Sequence, residues 1–370
     1  MGGFDRGTVA AIDAAAVREN FAETGRQAGG RTLFAVVKAD AYGHGAAGVA
    51  RVLIAAGCER LAVVSVEEGL ELRGAGIELP ILVLGGVGAA PEQAVEARLT
   101  PVVHHAAQRQ RLSAAARLAG VRVPVQVEVD TGMRRMGVAP DAAGQLLAEV
   151  AEDASLELEG VFTHLARADE PDLGPSLEQL AEFRRVLDAA RSRGIAPPWV
   201  HFANSAGILA GKPLFEALPE ANAARPGLML YGVCPAKHLS AELRPVMTLR
   251  TRVVQLRELR AGDAVGYSAK FRAESATRVA TLGIGYADGV PVAASNRGQV
   301  LIAGRRHPIV GRVSMDYISV DVGETPVGIG DEAIVLGDGL RVEEAAAAAG
   351  TIPYELLVRV GRRVPRVESP

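Results

Sequence analysis

The sequence predicts an α/β protein, an N-terminal (β/α)8 TIM barrel followed by a C-terminal mainly β domain. Three observations carry this expectation. Residues 1 to about 240 alternate short apolar runs with amphipathic, Ala/Arg/Glu-rich stretches. Near-continuous apolar runs mark parallel strands buried on both faces. The eight strand–helix units counted there match the size of a barrel, with a doubly wound open sheet as the structural alternative. Beyond about residue 241 the texture changes to strands separated by Gly, Pro and Asp.

In chain order, the apolar runs are 33–37, 61–66, 81–84, 100–103, 123–129, 156–163, 200–203 and a weak eighth near 221–225. Segments 45–56 and 177–193 between them have helical spacing and length. The second domain reads as strands at 247–259, 278–284, 299–303, 307–313, 318–322 and 332–336, then helices at 342–349 and 354–360. Gly350 is placed to cap the first of these helices. The expected division is therefore 1–240 for the barrel and 241–370 for the β domain.

Composition narrows the function. With 370 residues and 49% hydrophobic content the chain can bury a sizeable core. A net charge of -3 argues against a nucleic-acid partner. No run of about 18 apolar residues marks a membrane span. The stretch MGGFDRGTVAAID lacks the basic start and apolar centre of a signal peptide. The two cysteines, Cys58 and Cys234, suit a reducing cytoplasm. They and the few histidines show no metal-ligand spacing, so no metal is expected. Only four of the 40 basic residues are lysine: Lys38, Lys212, Lys237 and Lys270. Arginine cannot replace lysine where a deprotonated amine is needed, which draws attention to Lys38 at the end of an apolar run.

In such a barrel the chemistry sits at the C-terminal strand ends. Those ends carry Lys38, Asp40 and Tyr42 after the first strand, 130–135 after the fifth and His164 after the sixth. Asn204 and Ser205 follow the seventh, and Arg225-Pro226-Gly227 the eighth. A partly desolvated Lys38 would be a Schiff-base nucleophile, though position alone fits a snorkelling lysine as well. Ser205 with the Gly227 and Leu228 amides would match a phosphate site, and taken singly Ser205 reads as a helix cap. An imine lysine and a phosphate anchor suggest pyridoxal phosphate (PLP), while a lysine aldolase acting on a phosphorylated sugar has the same two features.

Several strings resolve that choice. The run from Ala35 to Gly45 (AVVKADAYGHG) resembles the cofactor-lysine signature of the alanine racemase family. So do Asp130–Gly137 (DTGMRRMG), the Asn204-Ser205 pair and Arg225-Pro226-Gly227. Val265-Gly266-Tyr267, the run from Gly285 to Gly289, the run from Val313 to Asp316 and Val364-Pro365-Arg366 continue the likeness to the C-terminus. The resemblance implies a PLP-dependent racemase that interconverts L- and D-alanine through an external aldimine, as a cytoplasmic homodimer with shared sites that supplies D-alanine for peptidoglycan.

It further implies that Lys38 binds PLP and serves as one base, with Tyr267 of the partner subunit as the other. His164 and Arg225 would assist that tyrosine, Arg225 also facing the pyridine nitrogen. Tyr42, Ser205, Gly227 and Leu228 are the implied phosphate contacts, with Asn204 beside them. Arg135 and the Met315 amide would hold the substrate carboxylate or the ring hydroxyl. Tyr286 resembles the family's entrance tyrosine, and Asp316 an interface or entrance residue. Taken singly, Tyr267 reads as a solvated strand tyrosine, His164 as a core histidine and Met315 as core. His104 and His105 are recruited by no motif.

Two positions depart from the family pattern. Glu128 stands where many relatives carry a carbamylated lysine, and is expected to pair with Arg135 unmodified. Arg362 stands where some relatives have a pocket tyrosine, and Tyr354 is given no role. The changed pocket leaves serine, lysine or broader specificity as alternatives. A PLP-binding protein without catalysis would lack the second domain and Tyr267; a decarboxylase of this plan would show other C-terminal strings; a D-amino-acid aldolase would need a metal site.

Overall fold

The computed structural model describes residues 6–369. By the density of their own contacts these form two units: residues 17–41 with 46–243, and the remainder, which comprises the residues up to Ala16, Tyr42–Gly45 and those from Arg244 onward.

The first unit is a closed barrel of eight parallel strands. They are Thr32–Val36, Arg60–Val63, Ile81–Val83, Thr100–Val103, Val123–Glu128, Leu156–Phe162, Trp199–His201 and Ala223–Ala224. All eight expected runs are strands, and the open-sheet alternative falls because the eighth pairs with the first, Ala223 against Thr32. The runs read apolar because the wall is buried on both faces, as at Leu61, Ala62 and Val63. Helices of ordinary origin connect them. Pro91 and Pro140 open two of them, and Gly120 ends another in the left-handed conformation that favours glycine.

The barrel interior is not wholly aliphatic. The His201 ring, fully buried, stacks on Phe34 at 5.0 Å and on Phe162 at 4.8 Å. The first and seventh strands are separated only by the two-residue eighth, past which the Phe34 and His201 rings stack.

The second unit is built on the long strand Met247–Leu259. It pairs antiparallel with Val9–Ile12, Thr277–Leu282 and Glu332–Leu336. The strand Ile318–Asp321 extends one side, and Gln299–Ile302 with Arg305–Pro308 forms a hairpin on the other. Four strands escaped the sequence reading, two of them the two-residue partners Ala264–Val265 and Phe271–Arg272. Val9–Ile12 is only four residues, two of them alanine, and Arg366–Glu368, which pairs with it in parallel, is mostly charged. The expected strand 307–313 ends at Pro308, with Ile309 making a single bridge to Val320. Helices occupy Val342–Ala349, with Gly350 as its left-handed cap, and Pro353–Val358.

Candidate active site

The first barrel strand delivers Lys38 to the mouth. Its end is fixed by Val36 N–H donating to the Pro226 carbonyl (2.9 Å), Val37 N–H to the Ala62 carbonyl (2.8 Å) and the Tyr231 hydroxyl to the Val36 carbonyl (2.9 Å). The chain then makes one left-handed helical turn, with φ between 51° and 54° at Ala39, Asp40, Ala41 and Tyr42. L-residues adopt that conformation at about 1–2 kcal/mol each, and a run of four is a store of strain of the kind found at working sites. Local bonds hold it: Ala39 N–H donates to Glu68 Oε1 (2.7 Å), Ala41 N–H to the Val37 carbonyl (2.9 Å) and Ala46 N–H to Asp40 Oδ1 (2.7 Å).

Lys38 itself is half-buried. Burial, then the positive charges of Arg135 and Arg225, lower its amine below the ordinary lysine value, against an opposing pull from Glu68. A lowered amine is the form of lysine that attacks a carbonyl or takes a proton. The other three lysines are exposed.

Arg225 follows the eighth strand and is buried. One guanidinium nitrogen donates to the Thr163 carbonyl (2.8 Å), and the other bonds His201 Nδ1. The group also lies 4.3 Å from the centre of the Phe162 ring. Burial brings its proton affinity down to about 10, leaving it cationic at neutral pH.

A chain of partners fixes the protons beneath it. Arg60 donates to Glu159 Oε1 (2.6 Å), and the Gln126 amide nitrogen lies 3.3 Å from Glu159 Oε2. Gln126 therefore turns its oxygen toward His201 Nε2 (2.7 Å), which carries the imidazole hydrogen. That leaves Nδ1 as acceptor for Arg225, and burial holds the ring neutral by pushing its pKa well down.

His164, after the sixth strand, has Nδ1 3.4 Å from Arg225 and Nε2 3.4 Å from the Asn204 amide. Burial and the cations Arg225, Arg135 and Lys38 lower it to about 3. His164 is thus a neutral imidazole throughout the physiological range.

Asn204 and Ser205 separate two roles that the sequence left open. Asn204 caps the short helix Ser205–Ala210 by accepting from Gly207 N–H (2.9 Å). The Ser205 hydroxyl instead accepts from the Gly227 and Met229 amides, at 3.0 and 3.2 Å. It shapes the loop after the eighth strand, with Leu228 between those two amides.

Glu128 corrects an expectation. Its carboxylate lies 3.2 Å from His104 Nδ1, with both side chains buried, and forms no ion pair with Arg135 among the described residues. The physical reason is reach: His104 ends the neighbouring strand, and its Nε2 is anchored on the Leu84 carbonyl at 3.1 Å. Arg135 is exposed and carries no partner among the described residues.

The remaining candidates belong to the second unit. Tyr267 lies on a short turn and is 70% exposed. Tyr286 and Met315 are also exposed, so Met315 is not core. Their backbones are joined, since Tyr286 N–H donates to the Ser314 carbonyl and Ala287 N–H to that of Met315. Arg363 braces this segment by bonding Asp316 (2.9 Å), the buried Asp288 (2.7 Å) and the Met315 carbonyl (3.3 Å). Tyr42 is buried with its ring 6.2 Å from that of Tyr354, and burial pushes its hydroxyl pKa up. Tyr354, not the exposed Arg362, is the aromatic residue there. Sequence reasoning also passed over Glu68, Gln126 and His201; His201 carried the one available signal, a histidine inside an apolar strand.

Among the described residues, no three His, Cys, Asp or Glu side chains are arranged to hold a metal, and no helix is long and apolar enough to cross a membrane.

Comparison with known proteins places this geometry. A family model described as "Alanine racemase, N-terminal domain" matches residues 12–235, and "Alanine racemase, C-terminal domain" matches residues 246–368. The alanine racemase of Sorangium cellulosum is 41% identical, over 98% of each chain. The crystal structure of the alanine racemase from D-cycloserine-producing Streptomyces lavendulae superposes with a TM-score of 0.92 at 39% identity, covering 98% of this chain and 97% of that one. The Bartonella henselae alanine racemase, described with covalently bound pyridoxal phosphate, gives 0.88 at 32%, over 98% and 99%.

Proposed function

The chain belongs to the alanine racemase family, and from that premise we propose that it interconverts L- and D-alanine with PLP anchored on Lys38. The observation that carries the reading is the Lys38 amine, lowered by burial at the barrel mouth and by the positive charges of Arg135 and Arg225. The donor set fits PLP: an amine for its aldehyde, a backbone loop shaped by Ser205 for its phosphate, and Arg225 for its ring nitrogen. Tyr42, Asn204, Gly227 and Leu228 complete the proposed phosphate side. When bound, PLP supplies the electron sink that makes a Cα proton removable.

The residues divide the remaining work. Racemisation removes a proton from one face of Cα and returns one to the other, so two bases on opposite faces suffice. Lys38 exchanges the proton with the D-enantiomer. Tyr267 exchanges it with the L-enantiomer, and its exposed ring suits a base that completes the site of a partner subunit in a homodimer. Arg225, cationic at neutral pH, would leave the ring nitrogen of bound PLP unprotonated, which would weaken it as an electron sink and restrain side reactions. The neutral His164, with Nδ1 facing the Arg225 guanidinium, would carry its hydrogen on Nε2 and could offer it to the partner subunit's Tyr267. Arg135, free of a protein carboxylate, receives the substrate carboxylate together with the Met315 amide. Tyr286 and Asp316 line the approach. The free cysteines Cys58 and Cys234 suit a cytoplasmic enzyme supplying D-alanine to the cell wall.

The test is incubation of the PLP-loaded protein with L-alanine in deuterated buffer. D-alanine should accumulate with loss of the Cα proton from both enantiomers. Absence of exchange and product with PLP bound would overturn racemisation. Parallel incubations with serine and lysine read the substrate range.

A further inference from the structure

Glu68 is the third residue of the helix Val66–Gly74, whose cap is Ser65, accepting from Glu68 N–H at 3.3 Å. A glutamate in that position commonly turns back to the amide of its own cap. Here it does not. Oε1 accepts from Ala39 N–H and Oε2 from Val64 N–H, both at 2.7 Å. One carboxylate thus ties the residue after Lys38 to the end of the second barrel strand. We propose that Glu68 is a positioning residue for Lys38, pinning the root of the left-handed turn so that the amine is presented at a fixed place in the barrel mouth.

This inference rests on Lys38 being the PLP-bearing residue. Three features support it. Both bonds are short and charge-assisted, the strong class of hydrogen bond. The Ala39 amide is the first donor of a strained turn, so its partner decides where the turn starts. The charged groups that act on Lys38 are Arg135, Arg225 and Glu68, and Glu68 is the only anion among them. Arg135 and Arg225 lower the amine while Glu68 raises it. The neutral His164 is a further titratable group that feels the Lys38 charge.

The test uses the full chain, stripped of PLP and mixed with it again, with borohydride trapping of the pyridoxyl label on Lys38 followed against pH. Glu68→Gln removes the charge and turns an amide donor toward one of the two N–H groups. Trapping should slow about 10- to 100-fold, the range expected from a displacement on the order of 1 Å. Its midpoint should also move to lower pH, because loss of the anion lowers the proton affinity of Lys38. Glu68→Asp keeps the charge but falls one methylene short, so it should slow trapping without moving the midpoint. This second variant decides the matter if Glu68→Gln does not fold. Glu67→Gln, an exposed neighbour on the same helix, should change neither quantity. Wild-type rate and midpoint in Glu68→Gln, or a wild-type rate in Glu68→Asp, would overturn the positioning role. A wild-type label on another lysine would instead overturn the assignment of Lys38 itself.

Discussion

The barrel mouth and the exposed tyrosines of the second unit contrast sharply. At the mouth, Arg225, His201, Ser205 and Glu68 each have their partners within the same unit, and burial displaces the proton affinities of Lys38, His164 and His201. In the second unit Tyr267, Tyr286 and Met315 stand exposed. The mouth is organised by one chain alone, whereas the exposed tyrosines offer chemistry without the surroundings that would make them reactive.

The sharpest break in that contrast is Lys38→Arg. Guanidinium remains protonated and forms no imine, so racemisation should fall to background with the thermal midpoint little changed. Next comes Tyr267→Phe. The hydroxyl is solvated, so stability should hold within about 0.5 kcal/mol while turnover falls about 10²- to 10⁴-fold. Mixing the unfolded Lys38→Arg and Tyr267→Phe chains and refolding them together should restore activity, since a hybrid dimer regains one complete site. No recovery would place both bases in one chain.

Gly285→Ala should have a smaller effect on rate and a larger one on stability. A Cβ there would lie 2.4 Å from the Ser314 and Met315 carbonyl oxygens. Crowding of this kind costs about 1–3 kcal/mol, read as a lower thermal midpoint, and should raise KM through the displaced Met315 amide.

The smallest effect concerns pH. His164 titrates at about 3 in the folded chain, against about 6.5 for free histidine. The unfolded chain therefore binds its proton first as pH falls, and the contribution of His164 to stability, full above about 6.5, is lost progressively toward about 3. His164→Asn should flatten the fall in thermal midpoint between pH 7 and 5. An unchanged slope would show that the ring takes up its proton while folded.

Much of this was legible in the sequence, and the limits have physical causes. Seven barrel strands announced themselves, and the two-residue eighth only weakly, because a wall buried on both faces admits few polar residues. Lys38, Arg225 and Ser205 could be placed at strand ends for the same reason. Partnerships between strands and helices were harder to see. Glu67 and Glu68 look alike in the first turn of a helix, where either suits the helix dipole, and nothing local says that Glu68 reaches back across 29 residues to Ala39. Glu128 was assigned to Arg135 within its own string, while its actual neighbour, His104, comes from the adjacent strand. Val9–Ile12 went unseen because its partners lie more than 200 residues away.

The polar file through the barrel also bears on how this family can drift. Arg60, Glu159, Gln126, His201 and Arg225 dictate one another's protons in sequence, from the start of the second strand to the mouth. A lone replacement of Gln126 by an apolar residue would leave a buried ring hydrogen without an acceptor, at about 1–3 kcal/mol. Descendants that alter the far end of the file must therefore change several members together. Tolerated variation at Arg60 should be inherited with variation at Glu159, although neither position would ever touch an amino acid.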